Sequence, residues 1–505
     1  MIKLINMNRD LLKTIFAPFF IFQLMVPLTA ETVEVVIDSS KVFKENHSGF
    51  SGVNLCWLTD SDQNWKRPTS MVKALKEMGV GALRFPYGHL ADYYVWHSGK
   101  IEDIEDGGLK PVMKAMPPYL KKWTWAFNED GTMKKAMNFD EYISMCKKLN
   151  VKPLVVVNTL SMHLEGGPSR EETIKKAAEW VRYASKKDYQ VAYWSIGNEV
   201  DHGVSKKNMD MESYFDLYVD IVKAMKNENP AIKVGPGILG NKNYFDRALK
   251  IDSSLIDFSC VHQYMFPFRS DKVSPLWKTN SLKAWQATTQ WKEFGNLNKA
   301  AAFYSKIKDR DFELLVTETG ITGSPERSGS VNNLWKSLWW FEVLMHQLAM
   351  KGVSYSFYWG THSPWSGGTE DDMKGKDDGV LLRLDNNKRK PTGEIIRMVN
   401  NFFFSQMLEV KIAHGDLRLY ASKDRQTGHL ALFILNKGDE EVSFRPLINE
   451  VKGSDWHHYL YAGVNANDTQ PKLNHLGKIK SAKTLEIRCP GLSLSILRQE
   501  PFQTR

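Results

Sequence analysis

Apolar and polar positions follow two different rhythms along the chain, and the change of rhythm divides it into two regions. Between about residues 49 and 361, short β-branched or aromatic runs are each followed by a segment with apolar positions at helical spacing. After about residue 402, apolar and polar residues alternate in short runs that turn residues separate. The first rhythm predicts a parallel α/β fold and the second predicts an antiparallel sheet.

The first region contains eight runs that have the character of buried parallel strands. In chain order they are 52–57, 81–86, 152–158, a run that ends at Glu199, 232–236, 256–262, a run that ends at Glu318, and 354–359. Helices are predicted over 71–78, 139–149 and 170–187. Eight strands that alternate with helices predict a closed (β/α)8 TIM barrel over residues 47–400.

The second region, residues 401–505, predicts an antiparallel β-sandwich domain. Its alternating runs include 417–421, 429–435 and 492–497, and no long helical pattern lies between them. Residues 32–38 alternate in the same way, so the segment 31–46 is predicted to add an N-terminal strand to this sandwich. The expected architecture is therefore a barrel with a sandwich built from both ends of the chain.

The N-terminus has the pattern of a secretory signal peptide. Three basic residues precede an apolar run from about residue 15 to residue 26, and Leu28-Thr29-Ala30 supplies a small residue for cleavage. The run is too short for a membrane span. We expect residues 1–30 to be removed from a secreted or periplasmic protein that has no membrane insertion.

Charge and cysteine content exclude several functional classes. The 67 basic and 58 acidic residues give a net charge of +9, but they are well mixed and accompany no nucleic-acid-binding motif. This leaves a solvated surface as the favoured interpretation and a groove for an anionic polysaccharide as the alternative. Cys56, Cys146, Cys260 and Cys489 are scattered without metal-like spacing, so no disulfide and no cysteine metal site are predicted.

Aspartates crowd the loop after the eighth predicted strand. They are Asp371, Asp372, Asp377 and Asp378, with Lys374 and Lys376 between them. A calcium site is one interpretation, but the lysines favour a solvated loop. The prediction is that the protein needs no metal and no cofactor.

Two glutamates, Glu199 and Glu318, stand at the ends of the fourth and seventh predicted strands. A parallel barrel gathers the C-terminal ends of its strands into one pocket. Hydrolysis of a glycosidic bond needs one carboxyl group to protonate the leaving oxygen and another to attack, about 5–5.5 Å apart in a retaining enzyme. The amide of Asn198 can donate to the sugar hydroxyl next to the reacting carbon, which assigns the acid/base role to Glu199 and the nucleophile role to Glu318.

These motifs resemble glycoside hydrolase clan A and, within it, the family 51 α-L-arabinofuranosidases. The stretches that carry the resemblance are 83–86, 139–142 with 155–158, 196–199 and 262–264. The chain differs from that family's pattern after the strand-two proline, where Tyr87-Gly88-His89 stands in place of Gly-Gly-Asn. It also has Thr319-Gly320 after the nucleophile in place of an aromatic residue and Asn.

The resemblance implies roles for further residues. Arg84 would orient the nucleophile and keep it ionised, although an internal barrel ion pair would use the same geometry. Tyr264 would donate a hydrogen bond to Glu318, and His262 would line the same pocket. Asn158 would contact the sugar, and Trp359 would lie under it.

The remaining tryptophans are expected to divide into two groups. Outer sugar subsites are predicted at Trp57, Trp96, Trp123, Trp125 and Trp365, and core packing is predicted for Trp335, Trp339 and Trp340 on a helical stripe.

The expected function is a retaining glycoside hydrolase that acts on a polysaccharide or oligosaccharide by double displacement, with arabinofuranosyl linkages first. The acid role calls for a raised pKa on Glu199. The alternatives are an endo-acting hydrolase of a xylan, a β-glucan or a marine galactan, and a carbohydrate-binding barrel without catalysis.

Overall fold

The computed structural model describes residues 32–97, 136–164, 166–264, 280–288, 295–306, 312–321, 332–362, 379–412, 414–449, 455–480 and 485–502. The chain enters with two strands, β1 (Thr32–Asp38) and β2 (Val42–Glu45). The barrel strands follow as β3 (Ser51–Asn54), β4 (Ala82–Phe85), β5 (Lys152–Val157), β6 (Tyr193–Ile196), β7 (Val234–Pro236), β8 (Phe258–Tyr264), β9 (Glu313–Gly320) and β10 (Val353–Tyr358).

The eight barrel strands form one parallel sheet in the order β7-β6-β5-β4-β3-β10-β9-β8. Two backbone hydrogen bonds join its edges, from the Asp257 amide to the Val234 oxygen at 2.8 Å and from the His262 amide to the Leu239 oxygen at 2.9 Å. The sheet therefore closes on itself. The barrel predicted from the hydrophobic pattern is confirmed, although several strands are shorter than predicted.

Helices surround the barrel between its strands. They are α1 (Met71–Met78), α2 (Phe139–Leu149), α3 (Arg170–Lys186), α4 (Gly203–Asn208), α5 (Met211–Glu228), α6 (Lys242–Ala248), α7 (Ser281–Gln286), α8 (Gly295–Tyr304), α9 (Leu334–Ala349) and α10 (Pro391–Phe402). Local chemistry defines their ends. The Ser169 hydroxyl accepts from the amide of Glu172 in a capping box at the start of α3, and Gly79 ends α1 in the left-handed region at a φ of 63°.

The lower part of the barrel interior is filled with apolar side chains. A cluster of buried residues from six strands packs there, among them Leu154, Val156, Phe258, Cys260 and Leu315. A barrel filled in this way is a packed core and not a pore. The C-terminal ends of the strands are therefore the part of the barrel that can hold a ligand.

The C-terminal region is a β-sandwich. Its strands are β11 (Gln406–Leu408), β12 (Leu417–Lys423), β13 (Leu430–Asn436), β14 (Val442–Asn449), β15 (Asp455–Ala462), β16 (Lys472–Lys480), β17 (Ile487–Cys489) and β18 (Ser493–Arg498). They form an antiparallel seven-stranded sheet, β16-β15-β18-β13-β12-β11-β2, and a three-stranded sheet, β1-β14-β17.

The N-terminal segment supplies one strand to each of these sheets. β1 pairs with β14 in parallel, so the small sheet is mixed and not fully antiparallel as the pattern predicted. Because apolar alternation records only which face of a strand is buried, it cannot distinguish parallel from antiparallel pairing. Val35, Ile37, Leu432 and Ile434 meet in the core between the two sheets.

The other face of the seven-stranded sheet packs against α9 of the barrel. The Phe341 ring stacks on Phe433 with centroids 5.9 Å apart. Trp335, Trp339 and Trp340 of the same helix are buried, which confirms the core packing predicted for them. Barrel and sandwich therefore share one apolar core.

The four cysteines all lie in the described ranges, and each is buried with a free thiol. Among the helices that the structure describes, none combines the length and apolar character that crossing a bilayer requires. The signal segment, residues 1–30, lies outside the described residues.

Candidate active site

The two glutamates meet at the C-terminal end of the barrel. Glu318 lies on β9, and Glu199 lies in the loop three residues after β6. Their exposed fractions are only 7% and 5%. One carboxylate oxygen from each lies within 4.8 Å of the other, and a ring nitrogen of His262 lies within the same distance of both. Nearest oxygens this close fit the roughly 5–5.5 Å that separates the carboxyl groups of a retaining pair.

Arg84, at the end of β4, is held under Glu318. Its Nη1 donates to Glu318 Oε1 at 2.8 Å and to Asn54 Oδ1 at 2.6 Å. Its Nη2 donates to Asn198 Oδ1 at 2.6 Å. The side chain is 1% exposed, so its positive charge acts on the carboxylate with little screening by water. Sequence reasoning missed Asn54, which had only its place at the end of the first barrel strand as a signal.

Tyr264, at the end of β8, holds the other carboxylate oxygen of Glu318. Its hydroxyl donates to Glu318 Oε2 at 2.7 Å. Burial raises the pKa of this phenol well above its usual value, and the charges of Glu318 and Glu199 add to the effect. Tyr264 therefore keeps its proton and acts as a donor. The structure brings Arg84 and Tyr264 to opposite oxygens of one carboxylate, as the resemblance implied.

The turn after β4 packs closely against Glu318. A Cβ on Gly88 would lie 2.2 Å from Glu318 Oε1, so only glycine fits there without moving the carboxylate. Tyr87 beside it has a φ of 90°, in the region that favours glycine. The unusual Tyr87-Gly88-His89 sequence therefore forms a strained turn against the Glu318 carboxylate.

Two histidines contact the acid/base candidate. Nδ1 of His262 lies 2.8 Å from Glu199 Oε1, and Nε2 of His89 lies 3.1 Å from Glu199 Oε2. The His262 side chain is 1% exposed, whereas that of His89 is 57% exposed in the mouth of the barrel. Sequence reasoning noted His89 as a departure from the family pattern but assigned it no role.

The charge state of Glu199 differs from the one expected of a resting general acid. Burial alone raises its pKa, but hydrogen bonds from His262 and His89 and their charges outweigh burial and hold the pKa below its ordinary value. The predicted raised pKa is therefore wrong for the free site. The reason is that both carboxylate oxygens face an imidazole, which sequence spacing alone did not reveal.

The two polar atoms of the Asn198 side chain have different surroundings. Its Oδ1 accepts from Arg84, and its Nδ2 is buried with no hydrogen-bond partner among the described residues. Because Arg84 can only donate, the amide orientation is determined and its N–H groups are the free side. Such a group can donate to a sugar hydroxyl, as the sequence predicted.

The side chain of Asn158 makes hydrogen bonds that stabilise the loop after β5. Its Oδ1 accepts from the amides of Leu160 and Ser161, and its Nδ2 donates to Ser161 Oγ at 2.6 Å and to the Tyr94 oxygen at 3.4 Å. These bonds use its full hydrogen-bonding capacity. The structure therefore favours a turn-forming role for Asn158 over the sugar contact that was expected.

Trp359, after β10, lies beside the nucleophile strand. Its Nε1 donates to the Gly379 oxygen at 3.0 Å, and its ring lies so close to Gly320 that a Cβ there would be 2.5 Å from Cδ1. The ring is half-buried. Its position is compatible with an aromatic surface for a sugar.

The outer subsites predicted at two tryptophans are wrong. Trp57 is fully buried with its edge against Tyr94, and Trp96 is 3% exposed and stacks on Trp180 at 5.5 Å. A tryptophan near a strand end has the same sequence pattern whether it faces the core or the loops. Three further predicted positions, Trp123, Trp125 and Trp365, lie outside the described residues, as does the aspartate-rich loop with Asp371, Asp372, Asp377 and Asp378.

Glu199, His262 and Glu318 are the one group of described residues close enough together to ligate a metal ion. The Glu318 oxygens already accept from Arg84 and Tyr264, and the Glu199 oxygens already contact the imidazoles of His262 and His89. A cation would have to compete with the guanidinium for Glu318. The donor set therefore suits acid-base and nucleophilic chemistry better than metal binding.

Part of the chain is similar in sequence to known alpha-L-arabinofuranosidases. Residues 74–273 match the family model described as the alpha-L-arabinofuranosidase 1 domain. A probable alpha-L-arabinofuranosidase C of Aspergillus fumigatus is 25% identical over 190 residues, which is 34% of this chain and 32% of that protein. The chain thus spans about a third of the length of this curated relative.

Solved structures with a similar fold cover nearly the whole chain. The family 51 alpha-L-arabinofuranosidase of Thermotoga petrophila matches with a TM-score of 0.66 and 15% identity, covering 93% of this chain and 100% of that one. Cel44A, a family 44 endoglucanase of Clostridium thermocellum, matches with a TM-score of 0.59 and 16% identity over 93% and 100% of the two chains. The predicted resemblance to clan A and its family 51 enzymes is confirmed.

Proposed function

We propose that the chain is a retaining glycoside hydrolase that acts on a polysaccharide or oligosaccharide, with α-L-arabinofuranosyl linkages as the first substrate class. The observation that carries this proposal is the pair of buried glutamates, whose nearest oxygens lie within 4.8 Å at the open end of the barrel. The match to the arabinofuranosidase domain supports the substrate class.

In the proposed mechanism each glutamate has a separate task, and the contacts of Glu318 support its assignment. Glu318, with its oxygens held by Arg84 and Tyr264, attacks the anomeric carbon as the bond to the leaving oxygen breaks. Glu199 protonates that oxygen. In the second half-reaction Glu199 takes a proton from water, and the resulting nucleophile releases the sugar from Glu318.

The sugar in the site would meet a polar and an aromatic surface. The free N–H groups of Asn198 supply a donor next to the nucleophile. Hydrogen bonds at this position strengthen as positive charge develops on the sugar ring. The accessible part of Trp359 supplies a surface on which the apolar face of the sugar can pack.

The nucleophile variant Glu318→Ala, assayed with and without azide, tests the mechanism. We expect turnover on aryl glycosides to fall by roughly 10⁴-fold and azide to restore part of it, because a small anion fills the space of the carboxylate. Glu212→Ala on the exposed surface of α5 is the matched control, with parental activity expected. A variant that keeps parental activity would refute the assignment of Glu318.

Product analysis separates the competing functions. Early release of a single sugar supports an exo-acting arabinofuranosidase, and early oligosaccharides support an endo-acting hydrolase of a xylan, β-glucan or galactan. Binding of a glycan without any turnover across an aryl-glycoside and polysaccharide panel would support the non-catalytic barrel instead.

We also propose export to the periplasm or the medium after removal of residues 1–30. The basic, apolar and small-residue order of that segment supports this proposal. N-terminal sequencing of the exported protein tests it, with Glu31 as the expected first residue.

A further inference from the structure

His89 lies on the exposed side of Glu199, at the open end of the barrel. Its Nε2 lies 3.1 Å from Glu199 Oε2, whereas Oε1 faces the buried ring of His262. A leaving-group oxygen enters from the mouth, so Oε2 is the oxygen that it can approach. His89 therefore occupies the contact that the glycosidic oxygen must share or replace.

In the free site, the proton that Glu199 and His89 share lies on His89 and not on Glu199. Glu199 is kept ionised by its two histidines, yet a general acid must carry a proton when the bond breaks. Although the His89 side chain is 57% exposed, partial desolvation of its ring disfavours the charged form, but the hydrogen bond to Glu199 and its negative charge outweigh this effect and raise the pKa of His89 to about 9. At neutral pH the pair thus holds one proton in total.

The ionisable groups around the His89 imidazole support this distribution of the proton. They are Glu199 from the loop after β6, Asp92 from the same short turn (His89–Tyr93) and Glu318 from β9, with Arg84 of β4 and His262 of β8 on the same carboxylates. Burial raises the pKa of Asp92 to about 8, so this carboxyl is neutral at pH 7. Because Arg84 already pairs with Glu318, Glu199 is the main anion that stabilises a protonated His89.

We propose that His89 is a positioning residue that stores the proton of the general acid in the free enzyme and returns it to Glu199 when the leaving group enters. This inference rests on the proposed glycosidase function. One proton moves from Nε2 to Oε2, which leaves a neutral imidazole and a neutral carboxylic acid. Glu199 then protonates the leaving oxygen as the C–O bond breaks, and it regains a proton from water when the Glu318 ester is hydrolysed.

Leaving-group dependence tests the proposal. The parent, His89→Gln and the control His202→Gln, an exposed histidine in the loop after Glu199, are assayed on two glycosides of the same sugar. With a phenyl leaving group, which needs the proton, His89→Gln should lower kcat/KM by about 30-fold or more at mildly alkaline pH. The alkaline limb of the pH profile of kcat/KM should also lie lower in His89→Gln than in the parent, by about one pH unit or more.

With a dinitrophenyl leaving group, which needs no proton, the same variant should change kcat/KM by less than about 3-fold. A purely structural role would slow both substrates equally and leave the alkaline limb in place, and that result would overturn the proposal. Parental behaviour of His202→Gln rules out a general effect of losing a histidine near the site.

A titration that does not depend on turnover separates this inference from the proposed function. Imidazole NMR signals are followed with pH in the parent and in Glu199→Gln, and His89→Gln assigns the His89 signal. The midpoint of His89 should fall by about one pH unit or more when Glu199 loses its charge. An active parent with no such fall overturns the proton pair alone, whereas a fall in a parent that hydrolyses no glycoside overturns the proposed function and with it the role of His89 in turnover.

Discussion

The two sides of the candidate site differ in the residue types that hold each glutamate. Glu318 lies on a strand and is held by Arg84 and Tyr264, which also come from strand ends. Glu199 lies in a loop with a φ of 46° and is held by two histidines. Burial keeps the proton on the Tyr264 phenol, whereas the hydrogen bond from His89 to Glu199 and the charge of that carboxylate outweigh partial desolvation and raise the pKa of His89 to about 9. We therefore expect the Glu199 side of the site to respond to pH through His89, and the hydrogen bond from Tyr264 to Glu318 not to respond.

Among the substitutions that test this difference, the removal of Arg84 should lower kcat/KM most. Arg84→Met leaves a buried carboxylate without its cation, and we expect kcat/KM to fall by roughly 10³-fold or more. Arg84→Lys is the matched variant. It should recover only part of the loss because a lysine cannot reach Glu318, Asn54 and Asn198 in the same fixed geometry.

Thermal melts accompany these assays to separate chemistry from folding. A folded Arg84→Met protein with near-parental kcat/KM would show that the guanidinium is only an internal barrel ion pair.

Displacing the nucleophile without changing its charge should have the next largest effect. Gly88→Ala puts a methyl group 2.2 Å from the present position of Glu318 Oε1, so the carboxylate must move. We expect kcat to fall by roughly 100-fold, because shifts of about 1 Å have effects of this size. Gly415→Ala, where a Cβ meets nothing within 4 Å, is the control. Equal kcat for both variants would contradict the proposed position of the nucleophile.

The loss of the Tyr264 hydroxyl tests the second contact on the Glu318 side of the site. Tyr264→Phe removes one donor to Glu318 Oε2 and keeps the ring. We expect kcat/KM to fall by roughly 10- to 100-fold, since a hydrogen bond to a charged group is worth about 1.5–3 kcal/mol. The shape of the pH profile should not change. A moved acidic or alkaline limb would show that Tyr264 takes part in proton transfer.

Asp92 should give the smallest effect, in stability. Its folded pKa of about 8 lies above the ordinary value of 3.8, so the neutral carboxyl stabilises the fold fully below about pH 4. This contribution is lost progressively as the pH rises to about 8. Asp92→Asn should therefore gain about 2 °C or more in Tm relative to the parent on the alkaline side. Parallel Tm curves across this pH window would contradict a protonated Asp92.

Hydrophobic pattern predicted most of the fold because it records burial directly. The helices Met71–Met78 and Phe139–Leu149 were predicted to the residue, since caps and periodicity agree there. The parallel pairing of β1 with β14 was missed, because the same alternation suits either direction. Trp57 and Trp96 were misassigned for a related reason: their neighbours come from distant segments of the chain.

The candidate site was only partly accessible from the sequence. Glu199 and Glu318 could be found because strand ends of a barrel converge. Asn54 and His89 carried no comparable signal, although both contact the central residues. A contact between residues far apart in the chain leaves no local pattern, so spacing could not reveal it.

The sequence by itself determined the two-part architecture and the identity of the two carboxylates, because periodicity and strand ends are local properties of the chain. The tertiary structure alone decided which groups face each carboxylate oxygen, and therefore which side carries the proton. Charge states depend on distances of a few ångströms and on burial. Those quantities arise only when segments more than 100 residues apart, such as β4 with Arg84 and β9 with Glu318, are packed together.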